Sequence, residues 1–208
     1  GSRPREQNGA WDAQIGEFSA RTLRFGRPKR QGAEPGSRPR EQHGAWDAQI
    51  GEFSARTLRF GRPKVPVFVQ PDAPFELGKI QRIISGSDIT IAACGHLVWE
   101  SVQAALELAE IGIHAEVLNV HTIKPLDVDA LVASAKKTGA VLVAEEHQQL
   151  GGLGSSVAQA LAAHHPTPMA FVAVEDQFGE SGTPSELMAK YGLDAKSIVK
   201  KAKALLGR

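Results

Sequence analysis

Residues 140–163 read AVLVAEEHQQLGGLGSSVAQALAA, and their reading decides the fold. The apolar run Ala140–Ala144 predicts a buried strand that ends in the polar cluster Glu145, Glu146 and His147. Gly151-Gly152-Leu153-Gly154 then predicts a sharp turn, and Ser155-Ser156 stands where a helix through Ala163 should open. In a parallel α/β sheet such a loop lies at the carboxyl edge of the strands, where sites form.

The same unit recurs on both sides. Ile89–Cys94 predicts a strand, Val98–Ile111 a helix and Ala115–Val120 a strand, and Asp127 caps a helix through Ala135. After the glycine loop come a strand at Ala170–Val174, a helix at Pro184–Tyr191 and a final helix from Asp194 to Leu206. Upstream, Lys79–Ile84 predicts a short strand, and Val65–Val69 a possible edge strand that tolerates Pro66. Gln70–Pro74 reads as a linker. Strand–helix alternation at this spacing argues for a mainly parallel sheet covered by helices on both faces.

Residues 1–64 are of another kind. Residues 1–29 recur as 36–64 with a single difference, Asn8 against His43, and Arg30–Pro35 lies between the copies. Solenoid repeats have such periods but need about three copies to bury a core. Trp11, Ile15 and Phe18, with Trp46, Ile50 and Phe53, have helical spacing interrupted by Gly16 and Gly51. A poorly structured, flexible tandem repeat is the expectation. It holds 13 basic residues against 7 acidic, whereas residues 65–208 hold 11 against 16, so the two parts differ in charge sign. The arginines are scattered rather than clustered, which argues against a nucleic-acid arm.

The single cysteine, Cys94, excludes an intrachain disulfide and fits the cytoplasm; at the end of an apolar run it is expected to be a buried thiol. No apolar stretch approaches the roughly 20 residues of a membrane span, and no secretory signal opens the chain, so neither membrane nor export is expected.

Several residues carry candidate chemistry. Gly151, Gly152, Gly154, Ser155 and Ser156 form a possible anion site, because the first amides of a helix lack internal partners and carry the positive end of its dipole. The loop has no Gly-Lys-Ser/Thr and does not read Gly-x-Gly-x-x-Gly, so a turn needed only for close helix–strand packing stands beside that reading. Glu145, Glu146 and His147 resemble an acid/base cluster, but strand alternation sends adjacent carboxylates to different sides, leaving hydrogen-bonding or interface roles open. His96 and His121 follow strands without metal-ligand spacing, and His164-His165 should close a helix. No Gly-x-Ser-x-Gly elbow occurs.

Three motifs together resemble the C-terminal domain of transketolases: His121-Thr122-Ile123-Lys124-Pro125-Leu126-Asp127, Glu145-Glu146-His147 with Gly151-Gly152-Leu153-Gly154, and Asp176-Gln177-Phe178-Gly179-Glu180-Ser181-Gly182. The last string, followed by Leu187 and Tyr191-Gly192-Leu193, is closer to transketolase than to deoxyxylulose-phosphate synthase or 2-oxoacid dehydrogenase β subunits, which stay as alternatives. The C-terminal subunit of split transketolases is the closest likeness. Arg59-Phe60-Gly61-Arg62-Pro63-Lys64-Val65-Pro66-Val67 also resembles the last strand of the preceding pyrimidine-binding domain and its linker.

The resemblance implies a three-layer α/β/α domain over residues 77–208 with a five-stranded, mostly parallel sheet, after a linker at 65–76. It implies membership of a ketol-transfer enzyme that uses thiamine diphosphate and Mg2+. The cofactor then lies between pyrophosphate and pyrimidine domains, whose catalytic glutamate and Gly-Asp-Gly metal motif are not found here. No catalytic, cofactor or metal residue is therefore expected on this chain alone. The implied partners are a second copy or an N-terminal transketolase subunit, with a non-catalytic anion- or metabolite-binding module as the alternative.

Overall fold

The structure, a computed structural model, describes residues 65–69 and 73–208. The expectations for the tandem repeat over 1–64, its aromatic stripes included, lie outside the described residues, as does part of the linker at 70–72.

Five strands form one sheet: β1 (Gln81–Ile84), β2 (Ile89–Ala93), β3 (Ala115–Asn119), β4 (Val141–Gln148) and β5 (Met169–Val174). Their order is β1-β3-β2-β4-β5, and only the β1–β3 pair is antiparallel. Helices α1 (Leu97–Glu110), α2 (Val128–Thr138), α3 (Leu153–His164), α4 (Pro184–Lys190) and α5 (Ala195–Leu206) complete the alternation.

Period-two alternation divides the core into two layers. Ile89, Ile91 and Ala93 of β2, with Val117, Leu142 and Ala144, pack against α1, α4 and α5 through Leu97, Leu108, Met188, Ile198 and Ala202. Ala92, Leu118, Val141 and Val143 point the other way, onto Leu131 and Ala135 of α2 and Leu153, Val157 and Leu161 of α3. Both faces are covered, so β2 is buried at every position and is apolar except at Thr90. The three-layer arrangement expected from the sequence is present.

Four local differences have physical causes. Val65–Val69 is not a strand; β1 already occupies the outer edge of β3, and Pro66 has no amide to donate. β4 continues past Ala144 to Gln148, so the polar cluster lies within the strand. α3 begins at Leu153 rather than Ser155, because a carboxylate from β4 caps its first amides. Cys94 is half-buried just beyond β2 rather than buried, and its amide donates to the Ala144 carbonyl at 3.3 Å.

A buried polar network also holds the sheet to α2. Glu116, fully buried on β3, accepts from Ser134 Oγ at 2.5 Å and from Lys137 Nζ, and Arg82 Nε of β1 lies 3.2 Å from its Oε2. Thr90 Oγ1 joins Ser134 Oγ at 2.6 Å and Thr138 Oγ1 at 2.7 Å. Burial raises the Glu116 pKa, but bonds from Lys137 and Ser134 and the charges of Lys137 and Arg82 outweigh it and hold the carboxyl below its ordinary value. A glutamate inside the apolar run AEVLNV was the available signal for this network, which sequence reasoning passed over.

Candidate functional site

On β4, Val141 and Val143 face α3, so the alternation carries Glu145 to the same side. It is only 2% exposed. Its Oε2 accepts the Leu153 amide and its Oε1 the Gly154 amide, both at 2.7 Å. These are first-turn donors without intrahelical partners, and the carboxylate also meets the positive end of the helix dipole. Charge-assisted bonds of this kind contribute about 1.5–3 kcal/mol each.

The glycines make room for this clamp. A Cβ on Gly152 would lie 2.1 Å from Glu145 Oε2, and one on Gly154 would lie 2.9 Å from Phe171 Cδ1 and 3.2 Å from Glu145 Oε1. Gly152 has φ −94°, a value open to any residue, so its requirement is space. Gly151 differs: its φ of +87° favours glycine, and nothing lies within 4 Å of where its Cβ would be. One glycine supplies the turn, and two supply the close approach.

The serines do not cap the helix. Ser155 Oγ accepts the Gly151 amide at 2.8 Å and donates to the Gln149 carbonyl at 3.3 Å, closing the loop on itself. Ser156 Oγ donates to the Gly152 carbonyl at 3.3 Å.

Glu146 and His147 turn outward and are exposed, so Glu145 and Glu146 form no dyad. Ala144 pairs with Val172 and Gln148 with Val174, so Glu145, Glu146 and His147 bulge where β5 offers one residue. His147 Nδ1 lies 3.0 Å from the Gln148 carbonyl oxygen. Gln148 Nε2 donates to the Gln177 carbonyl at 2.9 Å, tying this loop to the one after β5. Tyr191 O–H donates to the Phe178 carbonyl at 3.0 Å. These bracing contacts of Gln148, Gln177 and Tyr191 link distant segments, and no spacing rule announces them.

The other histidines are dispersed. His96 is the N-cap residue of α1 without a side-chain cap bond, and His164 and His165 close α3. His121 stacks on Phe75 with centroids 4.6 Å apart, and its Nδ1 lies 2.9 Å from Thr122 Oγ1; burial holds its pKa below the ordinary histidine value. Among the described residues no group of three or more His, Cys, Asp and Glu side chains can hold a metal ion. No helix among them is long and apolar enough to cross a membrane. Two of the first-turn amides of α3, those of Leu153 and Gly154, are held by Glu145.

Comparison with known proteins adds the family. The model of the transketolase C-terminal domain matches residues 78–198. The 6-deoxy-6-sulfo-D-fructose transketolase subunit SqwH of Clostridium sp. (strain MSTE9) is 51% identical over 128 residues, covering 62% of this chain and 40% of the relative. An apulose-4-phosphate transketolase subunit of Phocaeicola vulgatus is 40% identical over 136 residues, covering 65% of this chain and 43% of the relative. Among solved structures, a split gene transketolase, an inactive beta4 tetramer, superposes with a TM-score of 0.68 at 44% identity, over 71% of this chain and 48% of that one. The chain spans about two fifths of the length of the curated relatives it matches, 40% and 43%.

Proposed function

From its place in the family of transketolase C-terminal domains, to which this chain belongs, we propose that it is the non-cofactor part of a split, thiamine-diphosphate-dependent transketolase working in the cytoplasm. Transketolases depend on thiamine diphosphate, and the relatives are subunits of split enzymes. In this reading residues 77–208 supply subunit contacts and an outer wall to an active site built by an N-terminal transketolase subunit. The chain pairs with a second copy to do so. Glu146, His147 and Gly151, exposed at the carboxyl edge of β4, belong to that wall.

The observation that carries this reading is the Glu145 clamp. The helix mouth that would bind a phosphate group is closed from inside by a carboxylate, at 2.7 Å to two amides. Those two bonds support a loop-holding role for Glu145 at the sheet edge. No ketol transfer and no cofactor binding are expected of the chain by itself. The test is calorimetry with thiamine diphosphate and Mg2+, followed by mixing with the N-terminal subunit of a split transketolase. Cofactor-dependent transfer only in the mixture supports the reading. Saturable micromolar cofactor binding by this chain alone refutes it.

A further inference from the structure

The chain enters the sheet at the carboxyl edge of β3. Residues 73–80 lead into β1, whose first residue, Gln81, pairs with Asn119, the last of β3. This entry segment lies outside the ladder and is held by side chains of the loop that follows β3. The Gly78 amide donates to Thr122 Oγ1 at 3.1 Å, and the Ile80 amide donates to Asp127 Oδ2 at 3.1 Å. The Lys79 amide donates to the Glu76 carbonyl at 3.2 Å and closes a turn. Gly78 sits so near the loop that a Cβ on it would lie 3.2 Å from Pro125 Cγ. Phe75, 64% exposed, lays its ring against the half-buried His121 with centroids 4.6 Å apart.

These contacts select one protonation state of His121. An N–H group can only donate, so Thr122 Oγ1 accepts from Gly78. The hydroxyl has one proton of its own and, among the described residues, one further polar neighbour, His121 Nδ1 at 2.9 Å. Every group is satisfied when Thr122 donates and Nδ1 accepts, which requires a neutral imidazole with its proton on Nε2. A protonated ring carries hydrogen on both nitrogens. Nδ1 would then compete with the Gly78 amide for one oxygen, and the hydroxyl proton would lose its acceptor. The charge would also lie against Phe75, shielded from water.

The charged groups of the neighbouring elements do not account for this preference. The entry segment and β1 bring Glu76, Lys79 and Arg82, the last engaged by Glu116. The loop of His121 brings Lys124 and Asp127, whose carboxylate takes the Ile80 and Ala130 amides. Cys94 and His96 follow β2, the strand beside β3. Burial, rather than any of these charges, pulls the His121 pKa down, and the Phe75 ring is part of that burial. Docking of the segment and protonation of His121 therefore oppose each other, and by linkage each weakens the other by the same factor.

We propose that residues 73–79 form a strap that neutral His121 latches to the edge of the sheet and protonated His121 releases. The latch is the hydrogen-bond chain from Gly78 through Thr122 to His121, with the Phe75 ring closed over it. An aromatic face attracts a cation, which opposes release; the lost water and the misdirected Thr122 proton outweigh that attraction. The β1–β3 ladder is untouched by release, so the strap opens while the core stays folded. The device is independent of which enzyme the domain serves.

The experiment is nuclear magnetic resonance of the full chain between about pH 7.5 and about pH 5.5, the range in which histidine titrates. Amide exchange, corrected for its intrinsic pH dependence, reads the Gly78 bond, and the imidazole shifts read His121. Protection of Gly78 should fall at least about threefold on acidification. The Thr90 amide, bonded to the Ala140 carbonyl inside the sheet, should keep its protection. His121→Phe keeps a ring against Phe75 but takes no proton, and should abolish the response. Thr122→Val breaks the hydrogen-bond chain with His121 in place, and should remove Gly78 protection at both ends of the range. Phe75→Ala should raise the His121 pKa. A Phe75→Ala variant that lowers it would show the ring holding the cation and would overturn the proposal. So would a Gly78 amide unprotected in the parent, protection indifferent to pH or to Thr122→Val, or a pH response that survives in His121→Phe.

Discussion

Replacing Gly152 by alanine isolates the contact on which the site depends. The new Cβ would lie 2.1 Å from Glu145 Oε2 and 2.7 Å from its Cδ, too close for any real pair of atoms. The end of a glutamate is ordinarily soft and moves aside. Here it is 2% exposed and held by two amides, so moving it forfeits both 2.7 Å bonds. At about 1.5–3 kcal/mol each, the loss is about 3–6 kcal/mol. The lower entropy of the unfolded alanine chain returns about 0.4–1 kcal/mol, leaving a net destabilisation of about 2–5.5 kcal/mol.

Gly151→Ala is the control. It meets nothing within 4 Å but must hold a φ of +87°, at a cost of about 1–2 kcal/mol. The measurement is urea unfolding of Gly152→Ala, Gly151→Ala, Glu145→Ala and the Glu145→Ala/Gly152→Ala double variant. If the carboxylate is the obstacle, the two single penalties overlap, and the double variant should be more stable than their sum by about 2 kcal/mol or more. Gly151→Ala should add independently. A Gly152→Ala cost below about 1 kcal/mol, or strict additivity with Glu145→Ala, would falsify the clamp as the reason for the glycine.

Other outcomes follow from the polar network around Glu116 and from the His121–Phe75 stack. The folded pKa of Glu116 lies below its ordinary 4.5, so its stabilisation is fully present above 4.5 and is lost as pH falls through the lower folded value. Acid titrations of unfolding should show that loss, and Glu116→Gln should flatten it. Lys137→Met removes one of the partners of a fully buried carboxylate while Arg82 and Ser134 remain, and should cost about 2–3 kcal/mol in chemical unfolding. His121 is held below its ordinary 6.5 by burial, so the unfolded chain takes up its proton first and stability falls as pH drops from 6.5 towards the folded value. His121→Phe keeps a ring against Phe75 and should remove that part of the slope; an unchanged slope would place the titration elsewhere.

The sequence by itself determined the architecture, because the signals for it are local. Runs such as ITIAA and VLVA are short, apolar and β-branched, and they alternate with helical periods of 3.6. Asp127 and Asp194 mark helix starts by capping, with Asp127 Oδ1 accepting Ala130 N at 3.3 Å and Asp194 Oδ1 accepting Ser197 N at 2.9 Å. The alternation rule also separated Glu145 from Glu146 before any partner was known. What tertiary structure alone decided was where each polar group finds its complement. From the sequence Glu145 is one of an acid/base-like cluster with a hydrogen-bonding role left open, and the fold makes it the cap of a helix eight residues further on. That cap displaced the serines from the role their types suggested and turned Gly152 from a turn residue into a space requirement. Arg82 and Ser134, on opposite sides of Glu116 in the chain, likewise meet it only because β1 and α2 are laid beside β3. A carboxylate's role depends on which donors surround it once the chain is folded, and those donors come from segments that no local pattern connects.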